Sequence, residues 1–179
     1  MKREIKEIIK IPEGVEVEVD GYTIKISKGG VTLEKKLPFK AKKENNEIVI
    51  GMAKSTKREK KLIKTASSHV RALFSGLGKK YSYKLQVCAV HFPITAQTSG
   101  NEVVIKNFLG EVKERRAKIL PNVDVKVNKE IITVESFYKD SASQTAANIE
   151  NATFIRARDR RVFQDGIYIT EKEKGKRKE

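Results

Sequence analysis

The chain has 179 residues, of which 39% are hydrophobic and 34% are charged, and its formal net charge is +15. This length suits one domain or two small ones, and the positive charge favours a polyanionic partner, either nucleic acid or an anionic membrane surface. No apolar run approaches the roughly 18 residues that cross a bilayer, and the amino terminus lacks the apolar core of a secretory signal, so we expect a cytosolic protein.

The first half of the chain opens with alternating residues that predict strands. In "VEVEV", Val15, Val17 and Val19 share one face, and the Asp-Gly pair at 20–21 predicts a tight hairpin. The stretches "YTIKIS", "VTLEKKL" and "NNEIVIGM" predict three further strands. The segment before the first of these strands is interpreted as a loose basic arm, with four basic side chains: Lys2, Arg3, Lys6 and Lys10.

A helix follows these strands, because the apolar period changes from two to about 3.6 residues after position 56. Thr56 and Glu59 have the spacing of a capping box at its start, and Gly76 and Gly78 mark its end. We interpret the lysines on its other faces as a solvated surface, with direct RNA contact as the alternative. The alternating stretch "YKLQVCAVHF" is expected to close the first half as a strand.

The second half repeats this order with an offset of 79 residues, which pairs Gly21 with Gly100 and Ile24 with Val103. A second helix is expected from about Ser141, and "GIYIT" is expected to close the unit as a strand. Such self-similarity indicates an internal duplication. We therefore predict an α+β fold of two tandem small domains, each a mainly antiparallel sheet with one helix packed on one face. The predicted boundaries are 1–90, 91–170 and a charged disordered tail at 171–179.

The sequence contains few features that would support catalysis. It has no nucleotide-binding glycine loop, no nucleophile elbow and no metalloprotease helix. The single cysteine, Cys88, lies in an apolar run and is interpreted as a buried structural thiol, a ligand or nucleophile being the alternative. The two histidines, His69 and His91, lie on different elements with no carboxylate patterned around them. We predict no metal, no cofactor and no enzymatic activity.

Two basic clusters in the second half are the candidate RNA-binding residues. The stretch "KNFLGEVKERRAK" (106–118) places five basic side chains around a hairpin, and "RARDRR" (156–161) places four arginines where a helix gives way to a strand. The planar guanidinium group suits bidentate phosphate contact. The alternative is that these cations pair with Glu111, Glu114 and Asp159 on the surface. Phe108 is interpreted as a packing residue, and Asp165 as part of a turn.

The strings "HFPI", "NFLGE", "DVKVNKEIITVE", "QTAANIE" and "RDRRVFQDGIYI" resemble the large-subunit ribosomal protein L6 family, in its archaeal and eukaryotic branch. The resemblance covers about residues 11–169. One departure is Asn151, where the family usually has glutamine. The resemblance implies a duplicated α+β fold without enzymatic activity.

The resemblance also implies that the second domain binds 23S-type large-subunit rRNA near the sarcin–ricin stem-loop and the stalk base, bracing the region where translation factors bind. Neighbouring large-subunit proteins near the stalk base are implied as further partners, without a membrane or a homo-oligomer. Charge and resemblance together give the candidate rRNA-binding residues: Lys106, Asn107, Lys113, Arg115, Arg116, Lys118, Arg156, Arg158, Arg160, Arg161 and Gln164.

Two further functional classes stay open at this point. A free RNA-binding module or RNA chaperone would show little preference for ribosomal RNA. An enzyme would need a pocket of clustered polar residues, which the sequence does not indicate. Membrane-surface binding ranks third, because no amphipathic helix with large exposed apolar residues is evident.

Overall fold

Antiparallel strands and two helices make up the chain, which a computed structural model describes over residues 3–159 and 161–172. The residues divide into two compact units, with the boundary between Lys79 and Lys80. The predicted α+β class is confirmed, since each unit combines antiparallel sheets with one helix.

Over its described residues, the first unit contains six strands and one long helix. These are β1 (Arg3–Lys10), β2 (Glu16–Asp20), β3 (Thr23–Lys28), β4 (Val31–Lys36), β5 (Ala41–Glu44), β6 (Glu47–Ser55) and α1 (Lys57–Gly78). They form two three-stranded sheets with the orders β1-β6-β5 and β2-β3-β4. The helix contacts both sheets, and its start carries the predicted capping box of Thr56 and Glu59.

The described part of the amino-terminal segment belongs to this unit and is not a loose arm, while Lys2 lies outside the described residues. Residues Arg3–Lys10 form β1, which pairs with β6 along its length and occupies one edge of its sheet. The inward face carries Ile9, which is buried, but Ile8 is half-exposed on the opposite face. Because Ile8 lies on the outward face and Glu7 on the same face as Ile9, the alternation that predicts a half-buried strand is weak.

In the part of the second unit that the structure describes, there are seven strands, one short 3-10 helix and one longer α-helix. These are β7 (Tyr81–Cys88), β8 (Thr95–Ser99), β9 (Glu102–Lys106), a 3-10 helix (Phe108–Gly110), β10 (Arg115–Lys118), β11 (Asp124–Asn128), β12 (Ile131–Ser136), α2 (Lys139–Ala152) and β13 (Gly166–Lys172). The sheet orders are β10-β9-β8 and β11-β12-β7-β13. The apolar faces of both sheets and of α2 share one core.

The two units repeat the same strand orders, which supports the predicted duplication. Sheet β2-β3-β4 corresponds to β8-β9-β10, and β1-β6-β5 corresponds to β7-β12-β11. Ile24 and Val103, which the 79-residue offset pairs, are both fully buried in the middle strands β3 and β9. The second unit differs by β13, which adds a strand to the free edge of β7.

The predicted boundary after residue 90 falls one strand too late. The stretch "YKLQVCAVHF" supplies β7, which lies between β12 and β13 in the second unit instead of closing the first. Its inward side chains, from Tyr81 to Val87, belong to the second core. An alternating sequence predicts a strand but does not say which sheet it joins, because the partner strands are distant in sequence.

Two further expectations are modified at the ends of strands. Cys88, expected to be buried, is only half-buried where β7 ends. The predicted tail at 171–179 starts too early, since Glu171 and Lys172 still pair within β13, while 173–179 lie outside the described residues. Within the described ranges, neither helix is long and apolar enough to span a membrane.

Candidate nucleic-acid interface

Three loops of the second unit come together at one end, and we call them the loop cluster: residues 89–94, residues 107–114, and the described residues of the third loop, 153–159 and 161–165. The end of β7 lies beside the start of β13 because the two strands are antiparallel neighbours. The side-chain amide of Asn107 donates to the carbonyl oxygen of Pro93 at 3.1 Å. The ring of Phe92 packs against Gly110. A Cβ atom at position 110 would lie only 3.4 Å from Cζ of this ring.

Asp165 joins the first and third loops from a fully buried position. Its carboxylate accepts the backbone N–H groups of Val90 at 2.9 Å and His91 at 3.3 Å, and it lies 3.4 Å from His91 Nδ1. Burial opposes ionisation of this carboxyl group, but these N–H groups and the His91 ring together hold its pKa below the ordinary value. Asp165 therefore fixes the loops to each other, which is more than the turn residue expected from sequence.

Arg115 joins the second and third loops from the start of β10. Its guanidinium group bridges both carboxylate oxygens of Glu111 at 2.8 and 2.6 Å, and it donates to the carbonyl oxygens of Ala152 and Phe154 at 2.9 and 3.2 Å. It also lies 4.2 Å from the ring centre of Phe108, which is buried as predicted. Four of the five guanidinium N–H donors are thus used within the protein.

The carboxylate of Glu111 interacts with a cation from each of the two basic clusters. The hydrogen bond from Arg115 is the main cause that lowers the pKa of this carboxyl group, and the nearby charge of Arg158 lowers it further. The contacts of Arg115 with the carbonyl oxygens of Ala152 and Phe154, across 37 and 39 residues of sequence, place the hairpin beside the start of the arginine-rich segment. Glu111 neutralises part of the positive charge at their junction.

The arginine-rich segment presents its cations in three different ways. Arg158 lies 4.9 Å from the ring centre of Phe163, which itself packs beside His91. Arg161 is 89% exposed, and its Nη2 atom lies 2.8 Å from Asp159, whose pKa this hydrogen bond lowers. Arg156 is exposed and makes no ion pair with a described residue. The side-chain amide of Gln164 donates to the carbonyl oxygen of Arg161, and Arg160 lies outside the described residues.

The outer face of sheet β8-β9-β10 carries a second set of cations. Lys106, Arg116 and Lys118 are exposed and share this face, because Arg116 pairs with Val104 and Lys118 with Glu102 in the register of β9 and β10. Lys106 lies 2.9 Å from Glu114, and this hydrogen bond is the main cause that lowers the pKa of that carboxyl group.

Lys118 is the most remote of these cations, roughly 10 Å along β10 from Arg115 at 3.3 Å per residue. Lys113, in the second loop, is exposed and makes no ion pair with a described residue. The structure thus brings most candidate residues to the loop cluster and the adjoining sheet face, but it leaves Lys118 at the far end of that face.

This arrangement can contact phosphate groups with exposed cations, of which Lys106, Arg158 and Arg161 are held in place by internal contacts. Arg115 and Asn107 differ from the others, because both are engaged in holding the loops. Within the described part of the chain, no group of three or more His, Cys, Asp and Glu side chains is placed to hold a metal ion. Sequence reasoning assigned Asp165 to a turn and missed its role in joining two loops. It also missed the exposed apolar side chains of the loops, such as Val90, Phe92 and Val112, since no local pattern marks them.

Comparisons with known proteins agree with the resemblance. Residues 92–166 match the family model described as "Ribosomal protein L6". Over 171 residues, the chain is 41% identical to "Large ribosomal subunit protein uL6" of Methanococcus vannielii, covering 94% of each chain. It is 42% identical over 171 residues to the protein of the same description from Sulfurisphaera tokodaii, covering 93% of this chain and 92% of the relative.

Proposed function

The chain belongs to the uL6 family of ribosomal proteins, and from this membership we propose that it is a structural component of the large ribosomal subunit that binds large-subunit rRNA. The family is structural and non-enzymatic, in agreement with the prediction that the chain is not an enzyme. The cytoplasmic ribosome is accordingly its place in the cell, with rRNA and other ribosomal proteins as its partners.

The loop cluster and the adjoining sheet face of the second unit form the rRNA-binding surface in this proposal. The observation that carries it is that the two basic clusters, distant in sequence, meet at Arg115. Its guanidinium group bridges Glu111 in the hairpin and donates to the carbonyl oxygens of Ala152 and Phe154, just before the arginine-rich segment. Arg156, Arg158, Arg161 and Lys113 provide the contacts at the loops. Lys106, Arg116 and Lys118 extend the surface along the sheet, and Arg160 and Gln164 complete the proposed set.

Binding rests mainly on phosphate contacts. Each neutralised phosphate releases counterions, so that roughly 6–10 contacts make the affinity fall steeply with salt. Side chains cannot read bases in the deep major groove of an A-form duplex, so most contacts position the protein by backbone and shape. In this proposal the surface engages rRNA near the sarcin–ricin stem-loop and the stalk base. The folded unit then braces the factor-binding region and contacts the neighbouring proteins there.

The test is incorporation of a tagged chain into large subunits through washes of rising salt. We expect stoichiometric retention of the wild-type chain at high salt, and a clear loss for the double variant Arg158→Glu and Arg161→Glu. The matched control is Lys25→Glu with Lys28→Glu, because both lysines are exposed on β3 of the first unit.

Normal retention of the Arg158 and Arg161 variant would refute the assignment of these residues. Loss of the wild-type chain at modest salt, or occupancy well below one copy per subunit, would instead identify a loosely bound basic RNA-binding protein. Circular dichroism of the isolated double variant distinguishes a lost contact from unfolding. We expect it to fold normally, because both arginines are exposed.

A further inference from the structure

A cleft beside the loop cluster combines aromatic rings with hydrogen-bonding groups. Its volume is about 300 Å³, and it is lined by Glu150, Asn151, Thr153, Phe154, Ile155 and Tyr168. Ligand pockets begin at roughly this size, so the cleft has room for one small planar group and not for a duplex. Two other clefts of the second unit, of about 410 and 440 Å³, have no aromatic residue in their linings.

Tyr168 supplies an aromatic surface that is fixed in position. Its hydroxyl group donates to the carbonyl oxygen of Gln164 at 3.1 Å. Its ring covers Gly166, where an added Cβ would stand only 3.0 Å from the ring carbon Cζ. Tyr168 nevertheless remains 38% exposed, and Phe154 on the same cleft remains 44% exposed. A ring that is already immobile loses little entropy when a planar ligand stacks on it.

The polar groups of the cleft match the edge of a nucleobase. The side-chain amide of Asn151 is exposed and offers both donors and an acceptor. Glu150 uses Oε1 to accept the N–H group of Ile169 at 3.1 Å, which fixes its carboxylate and leaves it further acceptor capacity. Such groups pair with the amino and ring nitrogens of bases.

Positive charge stands next to the cleft on the same segment of chain. Arg156 follows the cleft residues Phe154 and Ile155 directly, and its side chain is exposed. Recognition of unpaired RNA combines an aromatic surface for the base with a cation for its phosphate. A planar ligand without a phosphate would leave the charge of this cation unpaired.

We propose that this cleft binds a single unpaired nucleobase of the RNA, stacked on Tyr168, with Asn151 at its edge and Arg156 at its phosphate. The proposal rests on the proposed RNA-binding function and adds the kind of nucleotide that the second unit takes. It also gives Asn151 a role, since a short amide at this position leaves space in the cleft for the base.

The test follows the Tyr168 ring signals of the full chain by NMR during titration with the hexanucleotides r(A)6, r(C)6 and r(U)6. We expect upfield ring-current shifts for at least one of them. Tyr168→Leu should weaken that binding by about 5- to 150-fold, which is the usual effect of one base–aromatic stack. The slope of affinity against salt should stay unchanged, because no cation is removed.

Three variants make the result specific to the cleft. Gly166→Ala places a Cβ where the Tyr168 ring lies, so it should displace the ring and weaken binding while retaining every polar group. Tyr168→Phe keeps the ring and should bind more tightly than Tyr168→Leu. Tyr22→Leu removes a tyrosine of similar exposure from the first unit and should have no effect. If Tyr168→Leu does not fold, Phe154→Leu replaces it in the comparison.

The proposal fails if none of the hexanucleotides shifts the Tyr168 signals, or if Tyr168→Leu and Tyr22→Leu bind alike. Retention on large subunits distinguishes this failure from failure of the proposed function. A wild-type chain that stays bound at high salt, together with an inert cleft, would overturn the nucleobase site alone. A wild-type chain that is not retained would overturn the function on which it rests.

Discussion

Replacing Arg115 should destabilise the second unit, although its sequence context assigns it to the rRNA-binding surface. The side chain is only 26% exposed, and it connects β10 to Glu111, to the end of α2 and to the segment beyond it. Arg115→Ala leaves the partly buried carbonyl group of Ala152 without this donor, at a cost of roughly 1–3 kcal/mol. It also removes a cation–π contact of roughly 0.5–1 kcal/mol and a half-exposed ion pair of roughly 0.5 kcal/mol.

We therefore expect Arg115→Ala to lower the free energy of unfolding by about 2–4 kcal/mol. Arg115→Lys should recover only part of this, because one ammonium group cannot bridge a carboxylate and two carbonyl groups together. The adjacent Arg116 is the matched control, since it is 63% exposed and its carboxylate contacts are as long as 3.6 and 3.7 Å. Arg116→Ala should change stability by less than about 0.5 kcal/mol.

Urea unfolding of the full chain measures these differences, with amide hydrogen exchange in β9 and β10 reporting on the second unit by itself. The reasoning is refuted if Arg115→Ala and Arg116→Ala have equal stability. It is also refuted if Arg115→Ala lowers rRNA affinity and the salt slope while the unfolding free energy stays constant, because Arg115 would then be a phosphate contact and not an internal brace.

Three other outcomes are expected. The pKa of Asp165 in the folded state lies below its ordinary value of 3.8, so the stability that the ionised carboxylate contributes is complete above that pH and is lost as the pH falls through the folded-state pKa. Asp165→Asn should therefore be less stable than wild type by about 2–4 kcal/mol at pH 7. In acid unfolding curves, this difference in stability should shrink as the pH falls below 3.8. Gly51→Ala should destabilise the first unit by about 1–3 kcal/mol in thermal melts, since the new Cβ would stand 2.7 Å from the carbonyl oxygen of Ile5; the control Gly78→Ala, with open space around it, should be neutral or stabilising. In filter binding to deproteinised large-subunit rRNA, the double variant Arg158→Glu and Arg161→Glu should have a shallower slope of log affinity against log salt concentration. The expected difference corresponds to about two phosphate contacts. An unchanged slope would show that neither residue contacts the RNA.

Local patterns predict much of this fold. The hairpin at 20–21 and the capping box of α1 depend on neighbouring residues, so the sequence indicates them directly. The duplication could also be found, because equivalent core positions such as Ile24 and Val103 keep an apolar residue at the 79-residue offset. The basic clusters were recognised from the density of arginine and lysine alone.

The remaining features depend on contacts between residues far apart in the chain. The sheet that β7 joins is decided by β12 and β13, which lie more than 40 residues away. Asp165 reaches Val90 across 75 residues, and Arg115 reaches Ala152 across 37. The charge pattern around Arg115 is the same whether it faces RNA or the protein interior, so only the folded geometry separates these two roles.

The difference between the two sheets around β1 and β7 bears on how the chain avoids self-association. In the second unit β13 covers the outer edge of β7, whereas the described residues provide no equivalent strand for β1. An uncovered edge exposes backbone donors and acceptors that can pair with a strand from another molecule. Lys6 and Lys10 are exposed along β1 on either side of the apolar side chain of Ile8, and an incoming strand would have to desolvate both ammonium groups. These two lysines therefore disfavour pairing of β1 with a strand of another molecule while the protein is not yet bound to RNA.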